Sequence, residues 1–239
     1  VSAGRVGVLL INLGTPDAPE AAAVRRYLAE FLSDPPVVEI PALIWQPILR
    51  GVILRTRPRK SAHAYKQAWT NEGSPLGSIT RRQTADLQQR LDDAAIVKFA
   101  MRYGNPGIAS TLDEMIAAGC DRILCAPLYP QYCAATTATA NDAVFAALAV
   151  RRVQPALRIL PPYFDDSHYI AALKVTIERQ LGALDFEPQK LLLSFHGMPE
   201  RTRQLGDPYH DHCQATARLL GQALARDVRV AVPPGFGRA

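Results

Sequence analysis

Short apolar runs, each closed by glycine or proline and set apart by a helix-length segment, recur along the chain. They lie at 6–13, 94–100, 122–127, 157–160, 190–195 and 228–232. The first, VGVLLINL, is apolar almost throughout rather than alternating. A strand of that kind is buried on both faces, as in the middle of a parallel sheet. Alternating strand and helix units at this spacing predict an α/β chain with parallel, doubly wound sheets. The cycle restarts near Gln154-Pro155. We therefore expect two units, 1–153 and 154–239, with the strand at 157–160 opening the second.

In such folds ligands sit beyond the carboxyl ends of the strands. The loops there carry Leu13, Arg102, Tyr103, Tyr129 and His196. His196 stands out because KLLLSFHGMPE runs from a buried strand straight into a histidine and then a Gly/Pro turn. Neither G-x-G-x-x-G nor G-x-x-x-x-G-K-[ST] occurs, which argues against a nicotinamide or ATP enzyme.

The first helix is expected to run from a cap at Asp17, with Glu20 as capping-box partner, to about Leu32, before Ser33-Asp34-Pro35-Pro36. Further helices are expected at 61–69, 78–91, 108–118, 136–150, 167–181 and 211–225. The stretch 40–54, IPALIWQPILRGVIL, is unusual: apolar from Ile40 to Leu54, yet interrupted by Pro41, Pro47 and Gly51. It reads either as a buried helix–turn segment or as an apolar lip over a flat ligand or against a bilayer. Arg55, Arg57, Arg59 and Lys60 follow it, read by themselves as a solvated basic turn.

The formal net charge is +5, with no Lys/Arg block interleaved with aromatics, so nucleic acid is not an expected partner. An anionic ligand or membrane surface suits the charge. The four cysteines form no C-x-x-C pair, and reduced thiols in the cytoplasm are expected. No run of 18 apolar residues occurs, and the N-terminal run reads as a strand, not a signal peptide. His210, Asp211, His212 and Cys213 look metal-like, but residues two apart on a helix diverge, so this is read as a surface turn and helix start.

Six motifs together resemble the ferrochelatase family: LLINLGTPDAP at 9–19, EGSPL at 72–76, MRYGNP at 101–106, PLYPQYCAATTATAND at 127–142, SFHGMPERT at 194–202 and GDPY at 206–209. They occur in the family's order and span nearly the whole chain. The resemblance implies the chelatase fold, two Rossmann-like lobes with parallel four-stranded sheets flanked by helices and a porphyrin cleft between them. It implies a lyase that forms nitrogen–metal bonds, inserting ferrous iron into protoporphyrin IX in the last step of haem biosynthesis. By resemblance His196 is metal ligand and acceptor of pyrrole protons. Leu13 touches the macrocycle, Arg102, Tyr103 and Tyr129 line the pocket, and Ser74 with Arg55 or Arg57 holds propionates. The stretch 40–54 corresponds to the lip, with peripheral contact at the inner membrane.

The chain departs from the family pattern in two places. The motif resembling GF-x-x-D-x-L-E-T, with its partner glutamate, is not in this sequence. Residues 234–236 begin like it, and 236–239 resemble FQSRFGRA instead. From this we expect an incomplete second lobe, poor solubility and little metal insertion by this chain. Some family members carry an iron–sulfur cluster; Cys133 lies one position from one usual ligand place and no terminal cysteine group follows, so no cluster and no other prosthetic group is expected. The alternatives are a cobalt or nickel tetrapyrrole chelatase and a non-catalytic porphyrin-binding protein.

Overall fold

The structure is a computed structural model and describes residues 4–231. The expectations for the tail at 232–239, and for the last residue of the strand at 228–232, lie outside the described residues. The chain forms two units, Val1–Leu128 with Ala134–Leu160, and Tyr129–Cys133 with Pro161–Ala239.

The first unit is built on a four-stranded parallel sheet in the order β2-β1-β3-β4. Its strands are β1 (Arg5–Thr15), β2 (Ile96–Gly104), β3 (Cys120–Pro127) and β4 (Ala156–Ile159). β1 is central because it can be buried on both faces, with Leu9 and Ile11 fully inaccessible and Val8 and Leu10 also buried. Val8 and Leu10 pack with Val97, Ala126, Leu87 and Leu91. Leu87 and Leu91 come from α4 (Pro75–Leu91), which lies against β1 and β2. α5 (Ile108–Ala117) and α6 (Thr139–Ala149) pack on each other and on β2. α6 is preceded by a π-helical turn at Ala134–Ala138.

The strand expected to open the second unit is β4, and it pairs in parallel with β3 from Arg122↔Ala156 to Cys125↔Ile159. The reason is geometric: β3 has β1 on one side only, and β4 satisfies its other row of backbone groups.

α1 (Ala21–Phe31) starts later than expected, capped at Glu20 without a side-chain bond. Pro19 disfavours helical backbone at Ala18, so the helix cannot begin at Asp17. Asp17 instead pairs with Arg26 and accepts from Asn105 Nδ2 at 2.8 Å.

The lip also differs from expectation, because the prolines do not break it. α2 (Ala42–Ile48), a π-helical turn (Leu49–Ile53) and α3 (Leu54–Ala68) follow without a gap. Pro41 stands at the N-cap of α2, where a missing N–H costs nothing. Pro47 lies inside α2, and the wider turn follows directly, a common way for a helix to absorb a lost hydrogen bond. Arg55, Arg57, Arg59 and Lys60 are therefore on a helix, not in a turn. Nor is the lip buried: Leu43 is 93% exposed and Ile44 59%. Leu49 and Trp45 hold it to the unit, Leu49 fully buried in the cluster with Tyr27, Leu28 and Tyr103. The Trp45 Nε1–H donates to the Leu32 carbonyl at 2.6 Å.

In the second unit β5 (Leu191–Ser194) and β6 (Val228–Ala231) form a two-stranded parallel sheet among the described residues. Its helices are α7 (Ser167–Leu181), α8 (Glu200–Gln204) and α9 (Tyr209–Leu224). The Asp166 carboxylate caps α7, accepting from the N–H groups of His168 and Tyr169. α7 packs on α9, and α9 on β6.

Candidate functional site

In the first unit the carboxyl ends of β1 and β2 lie side by side, with Gly14 opposite Tyr103. This brings Leu13, Arg102 and Tyr103 to one edge. The Leu13 N–H donates to Asn12 Oδ1 at 2.8 Å, and Asn12 Nδ2 donates to Thr80 on α4 at 3.0 Å. The Leu13 side chain is half-buried against the cluster that includes Tyr27, Leu28 and Tyr103.

Tyr103, expected to line a ligand surface, has no exposed area. Its ring meets Phe31 edge-on at 5.1 Å, and its hydroxyl donates to Asp34 Oδ2 at 2.6 Å. Burial, then the bond to Asp34, pushes its hydroxyl pKa well above the usual phenol range, so it stays a proton donor. The Arg102 guanidinium lies over the Tyr103 ring, 4.4 Å from its centre, and pairs with the same Asp34 oxygen at 2.5 Å. Tyr27 braces the neighbouring turn, its hydroxyl donating to the Gly14 carbonyl at 3.3 Å.

Ser74 is the N-cap of α4 and is buried, its Oγ accepting from the Gly77 N–H at 3.1 Å. That use leaves the hydroxyl proton for a second partner. Ser74 also lines a cavity of about 320 Å³ with Thr15, Trp69, Glu72, Arg81 and Asn105. Arg55 and Arg57 are exposed on α3. Arg57 lies near Tyr65, whose pKa is raised chiefly by burial, against the opposing effects of Tyr27 and Arg57.

In the second unit His196 is exposed, two residues beyond the end of β5. The ladder continues to its neighbour, the Phe195 N–H donating to the Ala231 carbonyl at 3.0 Å. The His196 backbone also hydrogen-bonds the Tyr209 side chain. This fixes the backbone on both sides while the imidazole faces solvent. The Tyr209 hydroxyl contacts Cys213, whose thiol is pushed up to about 11 by burial. Tyr129 is half-buried in the segment Tyr129–Cys133, which belongs to this unit. Hydrogen bonds from within the unit hold that segment. The Tyr163 N–H donates to Pro130 O at 3.0 Å, Gln131 Nε2 to Thr216 Oγ1 at 3.0 Å, and the Tyr132 N–H to His212 Nδ1 at 3.1 Å.

Residues 210–213 do form the expected helix start, at the beginning of α9, but His212 is half-buried there and not in a surface turn. Its ring stacks on Phe164 at 3.7 Å, and burial lowers its pKa despite three aspartates nearby. Asp34, Tyr209 and His212 are the residues that sequence reasoning missed. Asp34 was read only as part of a helix stop, and its partners are 68 and 69 residues away, which no local pattern reports. Among the described residues no three His, Cys, Asp or Glu side chains converge to hold a metal ion.

A family model described as Ferrochelatase matches residues 5–232. The chain is 53% identical to a ferrochelatase of Bradyrhizobium diazoefficiens over 227 residues, 93% of this chain and 66% of the relative. It is 54% identical to ferrochelatase 2 of Shewanella oneidensis over 92% of this chain and 68% of the relative. It is 53% identical to a ferrochelatase of Methylibium petroleiphilum over 99% of this chain and 67% of the relative. The chain spans about two thirds of the length of these curated relatives.

Proposed function

We propose that this chain, which belongs to the ferrochelatase family, serves the insertion of Fe²⁺ into protoporphyrin IX, with His196 at the metal. The observation that carries the reading is the exposed imidazole just beyond the carboxyl end of a parallel strand, β5, which is half-exposed rather than buried as expected, with its backbone held on both sides. Insertion exchanges metal-bound water for four pyrrole nitrogens and releases two protons. A neutral imidazole suits both needs, since one ring nitrogen carries a lone pair that can take a proton, and it is a borderline donor that Fe²⁺ accepts. Leu13 supplies apolar contact to the macrocycle, Tyr129 lines its pocket, and Arg55 or Arg57 with the Ser74 hydroxyl proton binds propionates. In the structure Tyr103 lies behind Arg102, so its part is to support the wall.

The test is anaerobic incubation of the protein with protoporphyrin IX and Fe²⁺, following loss of porphyrin fluorescence and the rise of haem absorption. The unaltered chain, which lacks the expected partner glutamate, should form haem only slowly, and His196→Ala is expected to abolish that residual formation while porphyrin still binds. Haem formation undiminished in that variant refutes the role of His196. Porphyrin binding without metallation by the unaltered protein favours a carrier, and Co²⁺ or Ni²⁺ taken in preference to Fe²⁺ favours a related chelatase.

The lip supports a finer reading of partners. No helix among the described residues is long and apolar enough to cross a membrane. We place the protein in the cytoplasm, touching an anionic bilayer through Leu43, Ile44, Ile48 and Val52, all exposed, beside the basic residues of α3. Co-sedimentation with vesicles containing anionic lipid is expected, and Leu43→Asp with Ile44→Asp is expected to remove it. Equal sedimentation of that variant sinks the proposal. We also expect no iron–sulfur cluster, and visible absorption of an iron–sulfur centre in the purified protein overturns this.

A further inference from the structure

We propose that Asp34 is a positioning residue that neutralises Arg102, keeping the end of β2 for the apolar face of a macrocycle and leaving the macrocycle's carboxylates to the cations of α3. The inference rests on the porphyrin reading above and assigns a subsite within it.

The Asp34 side chain is only 10% exposed and that of Arg102 18%. One Asp34 oxygen accepts from both the Arg102 guanidinium, at 2.5 Å, and the Tyr103 hydroxyl, at 2.6 Å. Both bonds are charge-assisted, the stronger class of hydrogen bond. The guanidinium is thus pinned between a carboxylate and the face of the Tyr103 ring. A cation held this way presents no net charge to a ligand. For a propionate to use Arg102 it would have to displace a carboxylate already in place and leave Asp34 uncompensated in a nearly closed site, which is costly. Arg55 differs, since it is exposed on α3.

Asp34 also roots the lip. Its backbone carbonyl accepts from the N–H groups of Val37 and Val38, at 3.0 and 3.1 Å. Two residues before it, the Leu32 carbonyl takes the bond from Trp45 on α2. The loop that orients Arg102 and Tyr103 is therefore the same loop that seats the exposed apolar helix.

The test measures affinity of the intact protein for protoporphyrin IX and for its dimethyl ester, and compares the two. Arg102→Gln combined with Asp34→Asn removes the neutral pair as a pair and is expected to weaken both together, leaving their ratio unchanged within about twofold. Asp34→Asn alone uncovers the guanidinium and is expected to shift the ratio toward the free diacid by about tenfold. Asp34→Glu, which keeps the carboxylate, is expected to restore the ratio. Arg102→Gln alone leaves the Asp34 carboxylate uncompensated and is expected to shift the ratio toward the dimethyl ester. If Asp34→Asn does not fold by circular dichroism, the ratio of the double variant decides. A selective loss of diacid affinity in the double variant, tenfold or more, overturns the proposal, since Arg102 then holds a propionate. An unmoved ratio in folded Asp34→Asn overturns it as well. If the unaltered protein binds neither porphyrin, the porphyrin reading falls and takes this inference with it.

Discussion

One added methyl group should have opposite effects at two glycines of the first unit, Gly14 and Gly51. Gly14 sits where β1 meets β2, at φ +123°, a backbone conformation that L side chains rarely adopt. A Cβ there would lie 1.8 Å from the Tyr103 carbonyl oxygen and 2.8 Å from its carbon. The atom in the way is backbone of the neighbouring strand, so the strands themselves must part. Strained backbone costs about 1–3 kcal/mol and overpacking another 1–3 kcal/mol, giving roughly 2–6 kcal/mol for Gly14→Ala. That is a large share of a typical stability of about 5–15 kcal/mol. Gly51 lies in the exposed helical lip, and a Cβ there meets nothing within 4 Å. Gly51→Ala should stabilise by about 0.5–1 kcal/mol, because alanine loses less freedom in a helix. Both tryptophans, Trp45 and Trp69, are in the first unit, so their fluorescence during urea unfolding reports on it alone. Gly14→Ala should lower the midpoint sharply and weaken porphyrin binding, since the displaced strand end carries Arg102 and Tyr103. A Gly14→Ala protein within 0.5 kcal/mol of the unaltered one would refute the reasoning, as would a Gly51→Ala protein destabilised by about 1 kcal/mol.

The second unit should lose stability in mild acid through His212. Its folded pKa lies below the unfolded value of about 6.5, so the contribution is complete above that value and fades as pH falls toward the folded pKa. Urea unfolding of His212→Gln should show a shallower dependence on pH below about 6.5, and an unchanged slope counts against the assignment. All four cysteines are buried, and burial pushes the Cys125 thiol up to about 12. Iodoacetamide at pH 8 should leave the native protein unlabelled and label the urea-unfolded protein at every cysteine, whereas fast native labelling would contradict this burial.

Much of the fold is legible without coordinates. β1 and α7 fall where apolar runs and helical spacing place them. The placing of Leu13, Arg102 and His196 at carboxyl ends of strands is legible too, although Leu13 and Arg102 lie in the last residues of β1 and β2 rather than in the loops expected for them. What was not legible depends on partners distant in the chain. The run at 157–160 reads as a strand, but nothing in its own residues says that it joins β3 rather than a new sheet. The prolines of the lip suggest a break, yet Leu49 and Trp45, anchored in a core supplied by α1, keep the chain helical through Pro47.

The sequence by itself determined the alternation of strands and helices, the family, and the residue at the end of β5, because periodicity and motif order are local properties of the chain. Tertiary structure alone decided that Tyr103 stands behind Arg102, that Asp34 takes up the guanidinium's charge, and that His212 holds the Tyr129–Cys133 segment across 80 residues. The physical reason is that hydrogen bonds and burial depend on which groups meet in space, and a one-dimensional pattern records only which groups are near in sequence.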